Sequence, residues 1–588
     1  MPQRIFDLLA YYTTHYGHKD CLFAHKEKGV WVKCSGQWVI ETTDAVSMAL
    51  IQMGVQKGDR VALMIDSGPQ WNVIDFGIQQ LGAIVVPIHL NIGRDGLAHI
   101  LSHCHPKAIF VRDGSLIRHT LDIIRPIIPQ DRIISMAPAE DFLPFDTFLR
   151  TGQNRPDLRE ALEKAEGEVL PDDTASIIYT SGTSGVPKGV MLSHGNIMSN
   201  IAHYVNDVPR IDRSVSHLPL SHIFERSVQY ARIYCGIEIC YAESKASIVR
   251  DVIELKANSF STVPRVLERM YDYVVQKGET LKGVKKRLFQ WAVRLADNFD
   301  ETGKHSNALY RCKMALADHW VYKDIREMFG GNLVFINSGG ALLHPHLVKF
   351  FTAIGIPVGI GYGLTETSPT ISSTRLTQGL VKAGAVGHPC RNLDVKIDEA
   401  TNEILVKGPS VMKGYFMDEE KTRLAFDEEG YFHTGDKGWI DSDGFLFLTG
   451  RIKDIFKTSM GKYIVPEAIE NKLCESAYIS NAMVTGEGQR FAAALVVPDF
   501  QQLKLWCRQQ GITFCSVEEM LGDKRVQKLI EDDVSACNNT LGSTERVQRI
   551  RLLDHEWTVE SGELTPSFKI RRNVIQENNK ELIKSLFD

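Results

Sequence analysis

Residues 179–190 read YTSGTSGVPKGV. Gly182, Gly185 and Gly189 let backbone N–H groups approach an anion closely, because no Cβ stands in the way. Thr180, Ser181, Thr183 and Ser184 add hydroxyl donors, and Lys188 adds a full positive charge. This is the chemistry of a loop that wraps phosphate. The Walker spacing G-x-x-x-x-G-K-[ST] is absent, since Gly189 follows Lys188 where a hydroxyl residue would meet magnesium. A second stretch, GYGLTETSP at 361–369, offers an aromatic face at Tyr362, a phosphate-bonding hydroxyl at Thr365 and a magnesium-holding carboxylate at Glu366.

These groups need rigid elements beneath them. ASIIY at 175–179 predicts a strand running into the first loop, and a helix opens near Asn196 after it. IPVGIGYG predicts the strand before the second. In the first half, short apolar runs such as RVALMI (60–65), AIVVPI (83–88) and AIFV (108–111) alternate with amphipathic helices, such as 43–54 and 70–82. That alternation points to buried parallel strands. After about residue 380 the pattern turns to hairpins, one at Asp443-Gly444 and one at Gly486-Glu487-Gly488. The expected fold class is α/β: a large N-terminal α/β portion, a β-rich subdomain from about 380 to 450, and a small α+β C-terminal domain.

Composition excludes several classes. Hydrophobic residues make up 44% of the 588 and charged residues 24%, as in ordinary globular proteins, and the net charge of −5 gives no electrostatic case for nucleic acid. The cysteines number eleven and form no C-x-x-C, which with no apolar leader predicts reduced thiols and a cytoplasmic protein. No apolar stretch is long enough to span a bilayer.

The motifs, in this order and over about residues 10 to 580, resemble the adenylate-forming superfamily: acyl-CoA synthetases, luciferases and peptide-synthetase adenylation domains. The resemblance implies stacked sheets in residues 1–452, a mobile domain at 453–588 and a hinge at Lys453. It implies ATP as substrate, with the 180–189 loop on the β- and γ-phosphates, Thr365 and Lys569 (from ESGELTPSFKIRR, 560–572) on the α-phosphate, and Mg2+ at Glu366 and Thr180. It places Gly339, Gly340 and Ala341 (in NSGGALL), Tyr362 and Gly363 at the base, and Asp436 and Arg451 (in YFHTGDKGWIDSDGFLFLTGRIKD) on the ribose hydroxyls. A carboxylate suits a diol because it accepts two hydrogen bonds. His222 would stand beside the acyl carboxylate, and Lys457 and Gly461, in KTSMGKYIVP, would line a thiol entrance. Asp443, in the D-G turn, reads as structural.

LPLSHIFERSVQY (218–230) and LKGVKKRLFQWAVRLADNF (281–299) most resemble the long-chain fatty acyl-CoA synthetase branch, which implies a fatty acid and CoA as further substrates. Two departures bear on chain length and acceptor: Tyr431 and Phe432 stand where Trp and Leu are expected, and FKTSMGKYIVP replaces a glycine-rich stretch. Alternatives are an enzyme that stops at acyl-AMP or acylates a carrier protein, and a non-catalytic nucleotide- or lipid-binding protein. In the second of these stretches Leu281, Val284, Leu288, Trp291, Leu295 and Phe299 share a helical face. The sequence favours core packing of that face over peripheral contact with the inner membrane surface.

Overall fold

The computed structural model describes all residues except 114–117, 139–141, 182–185, 208, 245, 302–306, 543–544 and 566–568, together with the side chains of His119 and Ser181. Among the described residues, two large sheets dominate the first 415 positions. One has eight strands, with Ile84–Pro87, Arg60–Met64, Ala108–Asp113 and Ile133–Ala137 parallel at its centre. The other has nine, with Phe335–Ser338, Ser259–Thr262, Arg213–Ser216 and Glu238–Tyr241 parallel. Their strands are short and buried, as the apolar runs require of a sheet covered on both faces.

Helices Pro69–Gln80 and Ile223–Tyr234 are buried almost from end to end. A helix buried all round needs partners on every side, and its apolar residues join the one core between the two sheets while its polar ones pair with each other. A separate core covers the outer face of the eight-stranded sheet. Two buried ion pairs involve Ile223–Tyr234, one to the neighbouring helix and one within it. Arg226 meets Asp75 of Pro69–Gln80 at 2.5 Å, and Arg232 meets Glu225 at 3.0 Å. Breaking either would strand a buried charge.

The β-rich region is a four-stranded antiparallel sheet of Asp394–Ile397, Glu403–Lys407, Phe432–Ile440 and Leu446–Arg451. Its last hairpin turns at Gly444, whose φ of +85° suits glycine. Beyond it a distinct core runs from Phe456 to Leu586, built on Ile479–Thr485, Ala492–Pro498 and Val547–Leu552.

Three local expectations need correction. The helix expected from 43 begins at Gly36, because the Ser35 side chain accepts a hydrogen bond from Trp38 N–H at 3.1 Å and caps it. Pro187-Lys188-Gly189, read as the end of the 180–189 loop, belongs to the strand Pro187–Ser193, antiparallel to Thr174–Ser181. In helix Gly283–Asp297, Leu288, Trp291 and Leu295 pack on the core as expected, but Val284 is 81% exposed, and Phe289, Ala292 and Ala296 are the buried residues.

Candidate active site

The phosphate motif sits on a hairpin. Thr180 lies opposite Lys188 across the ladder. Gly182, Thr183, Ser184, Gly185 and the Ser181 side chain fall outside the described residues. Lys188 stands on the returning strand, its Nζ 4.7 Å from the centroid of the Tyr415 ring. The Tyr415 hydroxyl donates to Glu366 Oε1 at 3.1 Å. Burial, aided by the charges of Lys453 and Lys421, holds the Lys188 ammonium below the ordinary lysine range. Burial likewise raises the Glu366 carboxyl. Each shift disfavours the charged form, so a polyanion at Lys188 and a cation at Glu366 would be stabilising there. Among the described residues no cluster of three His, Cys, Asp or Glu could cage a metal. A single buried carboxylate within reach of the Lys188 charge fits magnesium, which is commonly held by one or two carboxylates plus substrate phosphates.

The parallel strands Phe335–Ser338 and Val358–Gly363 end side by side, and ligands of open α/β sheets bind at such carboxyl ends. Gly339, Gly340 and Ala341 follow the first. Gly340 takes φ +84°, which lets the chain turn there. Tyr362 and Gly363 close the second. A Cβ on Gly363 would lie 1.7 Å from the Pro369 carbonyl oxygen, so only glycine fits. Thr365 and Glu366 then form a single 3₁₀ turn.

Tyr362 is buried, and its hydroxyl donates to Asp436 Oδ2 at 2.8 Å. Asp436 faces Arg451 across the last hairpin, with Arg451 Nε 3.1 Å from Oδ1. Burial raises the Asp436 carboxyl, opposed by the Arg451 guanidinium and the Tyr362 hydrogen bond. The three side chains form one polar wall.

His222 caps the buried helix, its Nδ1 accepting from Phe224 N–H at 3.2 Å. Burial lowers its pKa to about 3, with His89 and Lys569 adding to the effect. It is therefore neutral near pH 7. With Nδ1 accepting, the proton is assigned to Nε2, which presents a donor. The His89 ring lies 6.5 Å away, and its Nδ1 shares a 2.7 Å hydrogen bond with Ser221.

Lys569 comes from the small domain, yet its charge is felt at His222 and Asp436 of the large portion. Lys569 is exposed at the surface of the fold, with protein crowded around it. Burial lowers its pKa, Arg451 adds to this, and Glu467 and Asp436 oppose it. Its backbone is set by a tight turn: Thr565 N–H donates to the Lys569 carbonyl at 2.7 Å, and Lys569 N–H to Thr565 Oγ1 at 3.0 Å.

Lys188, Tyr362, Glu366, Asp436, Arg451, His222 and Lys569 thus converge from distant segments. Lys457 and Gly461 do not join them. They lie on the hairpin Phe456–Lys457 and Tyr463–Ile464, where the Lys457 carbonyl accepts from Gly488 N–H. Lys453 lies in the short turn Ile452–Asp454 at the start of the small domain. Sequence reasoning missed His89, Tyr415 and Glu467. Tyr415 sits on a strand of two residues, too short for any periodic signal, and His89 follows a strand with no motif around it.

Residues 15–416 match the model of a family described as AMP-binding enzyme, and residues 453–588 match that of the AMP-binding enzyme C-terminal domain. The chain is similar to the peroxisomal long chain acyl-CoA synthetase 7 of Arabidopsis thaliana, 31% identical over 92% of this chain and 80% of that one. It is also similar to long-chain-fatty-acid–CoA ligase 1 of Homo sapiens, 29% identical over 96% of this chain and 84% of that one. Its fold resembles a crystal structure of an anthranilate CoA ligase in complex with anthranoyl-AMP, with a TM-score of 0.71 at 18% identity over 100% of this chain and 99% of that one.

Proposed function

The chain belongs to the AMP-binding enzyme family, and we propose that within it the protein activates a long-chain fatty acid with ATP and passes the acyl group to CoA. A carboxylate resists a thiol because oxide is a very poor leaving group. In the first half-reaction a carboxylate oxygen bonds to the α-phosphorus of ATP, the bond to pyrophosphate breaks, and acyl-AMP forms. In the second the thiol sulfur bonds to the acyl carbon, the thiol proton is lost, and AMP leaves.

The observation that carries this reading is the wall of Tyr362, Asp436 and Arg451, at which the charge of Lys569 is felt. An anion must approach an anionic phosphate, so preoriented positive charge has the most to contribute. Lys188 would neutralise the β- and γ-phosphates, Lys569 and Thr365 the α-phosphate. Asp436 and Arg451 would hold the ribose. His222, neutral, would donate Nε2–H to the acyl carboxylate without competing charge. Magnesium, when bound, supplies positive charge to the phosphate oxygens, and Glu366 with Thr180 would hold it. Lys569 belongs to the small domain, so rotation about Lys453 would withdraw it and bring Lys457 and Gly461 to the thiol path.

The test is product analysis with ATP, magnesium and acids from acetate to oleate, with CoA present or omitted. We expect AMP and pyrophosphate, acyl-CoA only when CoA is present, and highest turnover on long chains. ADP with inorganic phosphate and no AMP would overturn the proposal.

A further inference from the structure

Among the described residues, the hairpin that carries Lys188 outruns the strands beside it. Thr174–Ser181 pairs with Ile84–Pro87 at Ser176, and Pro187–Ser193 pairs with Gly414–Tyr415 no nearer the hairpin tip than Val190. From Tyr179 to Ser181 and from Pro187 to Gly189, the two strands pair with each other. A two-stranded ribbon is marginally stable by itself. The Gly189 carbonyl gains one anchor, accepting from Phe416 N–H at 2.7 Å.

Helix Arg94–Cys104 reaches the same stretch from behind. His99 and His103, one turn apart, stack with ring centroids 5.4 Å apart and planes 16° from parallel. His99 Nε2 lies 2.9 Å from the Pro187 carbonyl oxygen. A carbonyl only accepts, so the proton is assigned to Nε2, which donates. His103 Nδ1 shares a 2.7 Å hydrogen bond with the Tyr179 hydroxyl, and its ring meets Phe416 edge to face at 5.5 Å. The Tyr179 ring belongs to the core on the outer face of the eight-stranded sheet. Side chains alternate along a strand, so Thr180 and its partner Lys188 point to the opposite face.

We propose that His99 and His103 are positioning residues that hold Lys188 in its phosphate-facing setting from the back of the sheet. The proposal rests on the reading of Lys188 as the β- and γ-phosphate contact. The two histidines grip both strands at one level: Tyr179 stands one residue before Thr180, and Pro187 one before Lys188. The Pro187 carbonyl is part of the planar peptide group that bears the Lys188 N–H, so its hydrogen bond fixes the plane from which the lysine departs. Without the brace the ribbon would sample other settings, and ATP would have to order it on binding. AMP, which has no β- or γ-phosphate, would not.

The experiment is equilibrium titration of the full chain with ATP and with AMP, magnesium present and fatty acid absent. His99→Leu should raise Kd for ATP by about three- to tenfold, the worth of one hydrogen bond, and leave Kd for AMP within about twofold. His99→Gln, whose amide can donate to the same carbonyl, should recover most of the ATP affinity. Tyr179→Phe, which keeps the ring and loses the hydroxyl, should weaken ATP selectively by a smaller factor, and it decides should His99→Leu not fold. Equal weakening of ATP and AMP, or no change in either, would overturn the brace. A Lys188→Ala variant with undiminished ATP affinity would overturn the phosphate reading, and the brace with it.

Discussion

Lys188 and Lys569 reach the candidate site from opposite kinds of scaffold. Lys188 stands on a strand laddered on one side to Thr174–Ser181 and on the other to Gly414–Tyr415, with an aromatic ring against its ammonium. Moving it would mean breaking an edge of the eight-stranded sheet. Lys569 rides on a turn closed by Thr565 and a single bridge between Leu564 and Ile570, inside a domain with its own core. Next to it in sequence, Arg572 is ion-paired to Glu470, which also accepts from Val484 N–H, so this stretch is fixed to the small domain. The difference teaches a division of labour. A charge needed throughout a reaction sequence is best built into a sheet, and a charge needed for one step is best carried on a separate body.

The largest effect should come from removing the charge carried by the small domain. Lys569→Ala should slow acyl-AMP formation by about 10²- to 10³-fold, the range for losing one preorganised transition-state donor. Thioester formation from supplied acyl-AMP should change little, and equal loss in both half-reactions would erase the distinction drawn above. Lys188→Ala should cost roughly 10- to 100-fold in kcat/KM for ATP, the worth of a charge-assisted hydrogen bond. Here an unchanged KM for ATP would argue against a fixed phosphate contact.

Acid should separate the two bodies more gently. His194 opens the helix after the phosphate hairpin. It is buried, its Nδ1 accepts from Ile5 N–H, and burial lowers its pKa to about 3. His222 is depressed likewise, and His89 to about 4. The unfolded chain takes up these protons below about pH 6.5 and the fold does not, so stability is present above that pH and lost as pH falls towards 3. Each group contributes at most about 1.4 kcal/mol per pH unit. The small domain contains His555 alone. Calorimetry between pH 7 and 5 should show the large portion losing its unfolding midpoint first, and His194→Asn should flatten that slope. The smallest effect belongs to Asp443, a half-exposed turn residue 3.4 Å from Lys382. Asp443→Ala should change stability by less than about 0.5 kcal/mol and leave AMP formation within twofold, in contrast to Asp436 on the same hairpin.

Much of this was legible in the residues. Turn chemistry marked Asp443-Gly444 and Gly486–Gly488, and hairpins close at both. Apolar runs marked the parallel strands. The misses share a cause, which is that their signals are not local. Pro187-Lys188-Gly189 has loop composition, and it is a strand because Thr174–Ser181 lies beside it to pair with. Val284 fits an apolar face by spacing, and it is exposed together with Gly283 and Lys285 beside it in the first turn of its helix. His89 and Tyr415 carry no motif, and only the juxtaposition of two sheets brings them to His222 and Glu366.

By itself the sequence determined the chemical inventory: a glycine- and hydroxyl-rich loop with one lysine, an aspartate and an arginine on one hairpin, a glutamate after a strand and a distant lysine, in an order that implied the family. Residue type and short-range spacing suffice for that, because they fix which groups exist and which backbone turns are allowed. The tertiary structure decided which groups meet and which are neutral. Burial, mutual charge and packing depend on neighbours hundreds of residues away, and no stretch of sequence contains its own surroundings.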